Sequence, residues 1–242
     1  MEKKYKLIKD SYWYRVKALK DFILITGETI KKGDIGGCVD SEDCLSQEGL
    51  CWVMNEATVE GKVSDNAVVK DYAHIYGKVS GNAIVKDYGF VGENATVTGS
   101  AVVQAYQRIH YGTVTADLLG TKDWASALYA ELGVVPNDGK VLLYHRVWST
   151  DNPKIFVSDY NRDFIYEIGK EAVETDVTED ALSDYGKGFL FTSLKFIGPW
   201  EGDTILECEV EVPDIVTVQA SKVRARKCRV IRVYKEEEIW IV

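Results

Sequence analysis

Between Ala57 and Val103 the chain repeats a small residue followed two positions later by an aliphatic one: Ala57/Val59, Ala67/Val69, Ala73/Ile75, Ala83/Val85, Gly89/Val91, Ala95/Val97, Ala101/Val103. Side chains alternate along an extended backbone, so both members of each pair point the same way, and the Gly, Asn and Asp residues between pairs mark corners. Three such hexads close one triangular coil. The phrase Asn-Ala-x-Val-Lys-Asp-Tyr starts at Asn66 and again at Asn82, and a third Ala-x-Val of that series comes at Ala101. One interval is therefore clipped and the next is full length. A stacked solenoid tolerates that, because each coil needs only its neighbours to bury its aliphatics.

The repeat predicts a mainly β chain whose first half is a left-handed β-helix, followed by a short helix and a small α+β domain. Residues 1–50 are assigned to a strand-and-loop cap and 51–115 to the helix of coils. Residues 116–139 form the connector and 140–242 the second domain. In the connector, TKDWASALYAELG predicts an amphipathic helix with Trp124, Leu128, Tyr129 and Leu132 on one face and Gly133 at its stop. Pro136 and Asn137-Asp138-Gly139 then signal a turn. Beyond it, KVLLYHRVWS, RDFIYEIG, GFLFTSLKFI, TILECEVEVP and KVRARKCRVIRVY predict strands. Glu207, Glu209 and Glu211 alternate with core residues, and Arg224 and Arg226 do so less cleanly, so both charged rows are expected on a solvated sheet face.

Composition narrows the classes of function. The net charge is -9, which opposes general affinity for nucleic acid or anionic lipid. No apolar run is long enough to span a bilayer, and no apolar segment follows the N-terminal lysines, so a cytoplasmic protein is expected. Five cysteines without a Cys-x-x-Cys pair predict neither a disulfide framework nor a zinc ribbon. No metal and no cofactor is implied.

Several residues are candidates for chemistry. Tyr72, Tyr88 and Tyr106 fall at matching corners, with Lys70, Lys86 and Gln104 beside them. They form either a self-stacking ladder or a platform for a planar ligand. In the last coil Gln107 and Ile109 hold inward positions, which turns Arg108 and His110 outward. His74 is outward as well.

The stretches YRVKALKDF, GDIGGCVDSEDCLSQEGLCWV and the Asn-Ala-x-Val coils resemble bacterial and phage hexapeptide-repeat proteins that carry a transferase label. The resemblance covers about the first half of the chain. It implies a homo-oligomer, with a trimer favoured, and, if the protein is an acyltransferase, His110 as general base with His74 second.

A fainter resemblance covers LLYHRV, YGKGFLF and ILECEVEVPD, which are similar in order to elements of poly(ADP-ribose) polymerase-type domains. It implies that His145 meets a ribose hydroxyl, that Gly186 and Gly188 admit a close ligand, and that Tyr144, Arg146, Lys187 and Phe189 flank the site. Arg146 and Leu190 replace the family's glycine and tyrosine, and no glutamate falls clearly at the activating position. Arg146, Thr192-Ser193 and Glu207-x-Glu209 also resemble the order of toxin-type ADP-ribosyltransferases, with too short a final gap.

Three functions follow as expectations. The first is a non-catalytic binder of a nucleotide-like small molecule. Such a binder suits a phage protein that sequesters an NAD-derived or cyclic immune signal in the host cytoplasm. The second is an acyltransferase through His110 or an ADP-ribosyltransferase through His145. The third is a structural scaffold.

Overall fold

The computed structural model describes residues 3–159 and 164–235. Contacts divide the chain into two compact units, Met1–Asp123 and Trp124–Val242, each described here by itself.

The first unit is a β-solenoid of about five turns with three parallel sheets. One face stacks Ile35–Val39, Thr58–Val59, His74–Ile75, Phe90–Val91 and Arg108–Ile109. The second stacks Lys62–Val63, Lys78–Val79, Ala95–Val97 and Gly112–Val114, and the third Trp52–Val53, Val68–Val69, Ile84–Val85 and Val102–Val103. Each rung turns its Val or Ile inward; Ala57, Ala67, Ala73, Ala83 and Ala101 are buried one step before their strands, and Ala95 is buried at the start of its own. The clipped interval is real: His74 lies opposite Phe90, sixteen residues on, and Phe90 opposite Arg108, eighteen on.

The corners explain the repeated Lys-Asp-Tyr. Asn55, Asp71, Asp87 and Ala105 take left-handed backbone at φ of 58°, 61°, 57° and 54°, a conformation that Asn and Asp tolerate better than other side chains. Asp71 Oδ2 accepts the N–H of Asp87 at 3.2 Å, and Asp87 Oδ2 accepts the N–H of Ala105 at 2.9 Å. Each aspartate thus ties its corner to the next coil. Asp87→Ala is expected to lose about 2 kcal/mol of stability, combining one hydrogen bond with left-handed strain on Ala. Asp87→Asn should lose much less. Urea denaturation of the two variants checks the ranking.

The cap reverses chain direction. Tyr5–Asp10 pairs antiparallel with Trp13–Ala18, which pairs antiparallel with Ile35–Val39, the strand that joins the first coil in parallel. The Trp52 ring turns outward from its rung but is buried, with Tyr5 and Phe22 set edge-on against it at 6.4 and 5.3 Å. Lys4 is buried and has no carboxylate partner among the described residues. Its ammonium donates to the Glu48 and Cys51 carbonyls at 3.1 and 3.0 Å, and burial lowers its pKa.

The second unit opens with the helix Trp124–Leu132, which packs on the strand Ile215–Gln219 and buries Trp124, Ala127, Leu128 and Leu132. Tyr129, expected on that face, is 46% exposed; one residue beyond Leu128, it turns away from the packed stripe. Gly133 ends the helix at φ 71°. Asp138 and Gly139, at φ 48° and 75°, make the two-residue turn that lets Asn137 and Lys140 exchange backbone hydrogen bonds.

Two antiparallel sheets follow. The larger has the order Ile165–Glu167, Ile155–Ser158, Lys140–Ser149, Thr204–Glu211, Lys227–Tyr234, Glu171–Val173. The smaller has Phe189–Phe191, Lys222–Ala225, Ile215–Gln219. Arg162 and Asp163, at the start of the predicted RDFIYEIG strand, lie outside the described residues. The predicted final strand breaks at Arg226, and its halves join different sheets. This break corrects the expected solvated basic row. Arg224 is 1% exposed inside the smaller sheet's packing, while the acidic row pairs with residues beyond the break: Glu207 opposite Arg232 and Glu209 opposite Arg229.

Candidate functional site

In the second unit, a cavity of about 190 Å³ opens at the end of the Lys140–Ser149 strand. Strand alternation makes His145 an inward residue between Leu143 and Val147, so the sequence places an imidazole where an aliphatic would ordinarily sit. Three aromatic rings surround it: Tyr166 at 5.3 Å, Trp200 at 5.5 Å and Phe191 at 6.1 Å between ring centroids. Tyr166, Trp200 and Phe164 line the cavity together with His145, and Arg146 and Lys222 also stand on its wall.

Burial lowers the His145 pKa to about 4, against an opposing pull from the Leu190 backbone and a weaker one from the Asp159 charge. The ring is therefore neutral at pH 7. Its Nε2 lies 3.5 Å from Ser158 Oγ, at the outer limit of a hydrogen bond, and its Nδ1 has no partner of good geometry among the described residues. A neutral imidazole of this kind can donate or accept one hydrogen bond from a polar ligand group without charging.

The predicted site residues divide. His145, Arg146 and Gly188 meet at the cavity. Phe189 is buried beneath it against Phe164 and Tyr166. Tyr144 projects to the opposite sheet face, where its hydroxyl donates to Glu207 Oε1 at 3.1 Å and burial raises its pKa. Lys187 is exposed and ion-paired with Asp176.

The glycines serve an internal neighbour. A Cβ on Gly188, at φ 138°, would meet Arg224 Cγ at 2.9 Å, and one on Gly186 would meet first Thr178 Cβ at 2.5 Å and then Arg224 Nη1 at 2.8 Å. Their missing side chains make room for a buried arginine, which accounts for the Gly-Lys-Gly spacing without any ligand.

The glutamates that would serve ADP-ribosyl transfer are occupied. Glu207, itself buried, also receives Arg232 Nε at 2.8 Å on Oε2, so both its oxygens are taken, and Glu209 pairs with Lys140 at 2.8 Å. Glu207 lies opposite Tyr144 in the sheet and so projects from the face away from His145. Thr192 is buried and donates to the Ser221 carbonyl at 2.7 Å.

In the solenoid, Tyr72, Tyr88 and Tyr106 stack at 5.3 and 4.9 Å with planes 9° and 2° apart. Tyr88 has a ring on each side, so it presents its edge and hydroxyl rather than an open face. His110 leans on Phe90 and Tyr111 at 5.3 and 6.1 Å, and Arg108 lies 4.6 Å over the Phe90 ring. His74 Nδ1 meets Thr58 Oγ1 at 2.7 Å.

Sequence reasoning missed Phe164, Tyr166, Trp200 and Lys222. They come from three separate segments, and only the inward histidine at position 145 was a signal in the chain.

No protein-family model matches the chain, and comparison with curated proteins and with solved structures returns no match. Among the described residues no group of three or more His, Cys, Asp or Glu is placed to hold a metal, all five cysteines are free, and no helix is long and apolar enough to cross a membrane.

Proposed function

We propose that the protein binds a small nucleotide-like molecule without transforming it, and holds the ring end of that molecule in the His145 cavity. The observation that supports this most is the convergence of Phe164, Tyr166 and Trp200 around a neutral, buried histidine. At about 190 Å³ the cavity is smaller than the roughly 300–1,000 Å³ of drug-sized sites. It suits one planar ring system, with ribose and phosphate left at the mouth near Arg146 and Lys222. The occupied glutamates favour binding over group transfer. In this reading the protein acts in the cytoplasm, in the host's if phage-encoded, and lowers the free level of a signalling nucleotide. The hexapeptide resemblance adds a homotrimer, which sedimentation equilibrium tests.

A thermal-shift panel of NAD, ADP-ribose, cyclic ADP-ribose isomers, cyclic dinucleotides and acetyl-CoA tests the function. A ligand at a hundred times its Kd adds about 2.7 kcal/mol of stability. We expect a nucleotide of the panel to raise the midpoint and Trp200→Ala to erase the rise. Stabilisation by acetyl-CoA alone would favour the acyltransferase, and silence across the panel the scaffold.

A further inference from the structure

We propose that the cavity selects a ligand with a negative charge on or beside its ring, and that this charge takes Lys222 over from Asp184. The proposal rests on the binding reading above and deepens it. Lys222 stands on the cavity wall, and its ammonium meets Asp184 Oδ1 at 3.0 Å, a carboxylate side chain only 8% exposed. Asp184 belongs to the segment 174–188, which has neither helix nor strand and ends at the cavity wall with Gly188.

Two positions further along the same strand, Arg224 lies on the same sheet face as Lys222. Its Nη2 donates to the Asp180 carbonyl at 2.7 Å, but Nε and Nη1 are buried without an acceptor. Buried N–H groups of a cation are rarely left so, because each forfeits its hydration. The one buried carboxylate beside the two cations, that of Asp184, is paired with Lys222, and Arg224 holds only the Asp180 carbonyl. The Asp180 and Glu179 carboxylates are exposed, and Glu179 is bound by Arg226.

The cavity wall also carries the carboxylates of Asp159 and Glu201 and the guanidinium of Arg146. Asp159 accepts the Trp148 indole N–H at 2.9 Å, Glu201 is exposed, and Arg146 adds positive charge. A neutral ligand would leave Lys222 with Asp184. An anionic one brings a second acceptor group to a strand face that lacks acceptors, and it frees the segment carrying Asp184 from one of its anchors.

The two sources of such a charge are a carboxylate on the ring and a phosphate next to it. Calorimetric titration of the full chain with nicotinate against nicotinamide, and with AMP against adenosine, separates them. The expected result is a preference of about tenfold or more for the anion in one pair, and that pair identifies the source. Asp184→Asn should tighten the anion several-fold and leave its neutral partner unchanged, and Lys222→Gln should abolish the preference. Equal affinities within both pairs, in the unmodified protein, would overturn the charge selection and leave the binding reading standing. A preference that Asp184→Asn fails to increase would overturn the displacement; no binding of any of the four would overturn the charge selection, while the binding reading stands or falls with the nucleotide panel.

Discussion

Trp52→Ala is expected to destabilise the first unit by roughly 3–5 kcal/mol, the range for a fully buried aromatic, making it among the most damaging single truncations there. The indole is 1% exposed although it points away from the interior of its coil. The cap is what buries it, through the edges of Tyr5 and Phe22. The contact therefore couples the cap to the coils, and edge-on aromatic pairs add to the area term. Trp52→Phe should recover about half of the loss. The measurement is the urea midpoint at unchanged slope. A loss below about 1 kcal/mol, the scale of an ordinary surface substitution, would mean that the cap does not seal this ring.

The second large effect concerns pH. Burial holds His145 near pKa 4 in the folded chain against an ordinary 6.5. The folded state thus resists a proton that the unfolded state accepts. The stability from keeping the ring neutral is fully present above pH 6.5 and is lost as pH falls toward 4, by about 3 kcal/mol at most. Carboxylates held low by partners, Asp203 through Ser149 and Glu171 through Lys227, lose stability in a lower range. The comparison that isolates the imidazole is His145→Phe, which fits an aromatic surround and cannot titrate. Its unfolding free energy should vary less between pH 7 and pH 4.5 than that of the unmodified protein. Parallel profiles would show that the ring is already hydrated in the folded state. His145→Ala is a poor test of ligand binding for the same reason, since it leaves a void among Tyr166, Phe191 and Trp200.

How far the chain announced its structure differs between the two units. Between stacked coils the inward aliphatics pack one coil away, so the Ala-x-Val spacing specifies those contacts locally; the burial of Trp52 by the cap is the exception. The strands, the inward residues, the outward His74 and Arg108 and the stacked tyrosines all follow from it. The aspartates at the corners were visible as turn residues, yet their bonds to the next coil depend on the stacking itself.

In the second unit, pattern reading found the strand Lys140–Ser149, while its inward set of Val141, Leu143, His145 and Val147 was settled by the folded sheet. It failed at Arg224, because nothing in KVRARKCRVIRVY shows that the backbone changes sheets at Arg226 and turns an apparent surface row into a buried cation. It also missed Ile155–Ser158 and Ile215–Gln219, strands too short to declare a period.

The sequence by itself determined the solenoid, because a rung needs only a small residue, an aliphatic and a corner at fixed spacing, repeated often enough for coils to bury one another. Only the tertiary structure decided the candidate site. Its wall is drawn from residues between His145 and Lys222 that no periodicity links. It also decided that two glycines suited to a ligand are filled by Arg224 instead. The physical reason is that packing between distant segments depends on where each strand ends and which sheet it joins, and those choices are settled by the whole folded core rather than by any local run of residues.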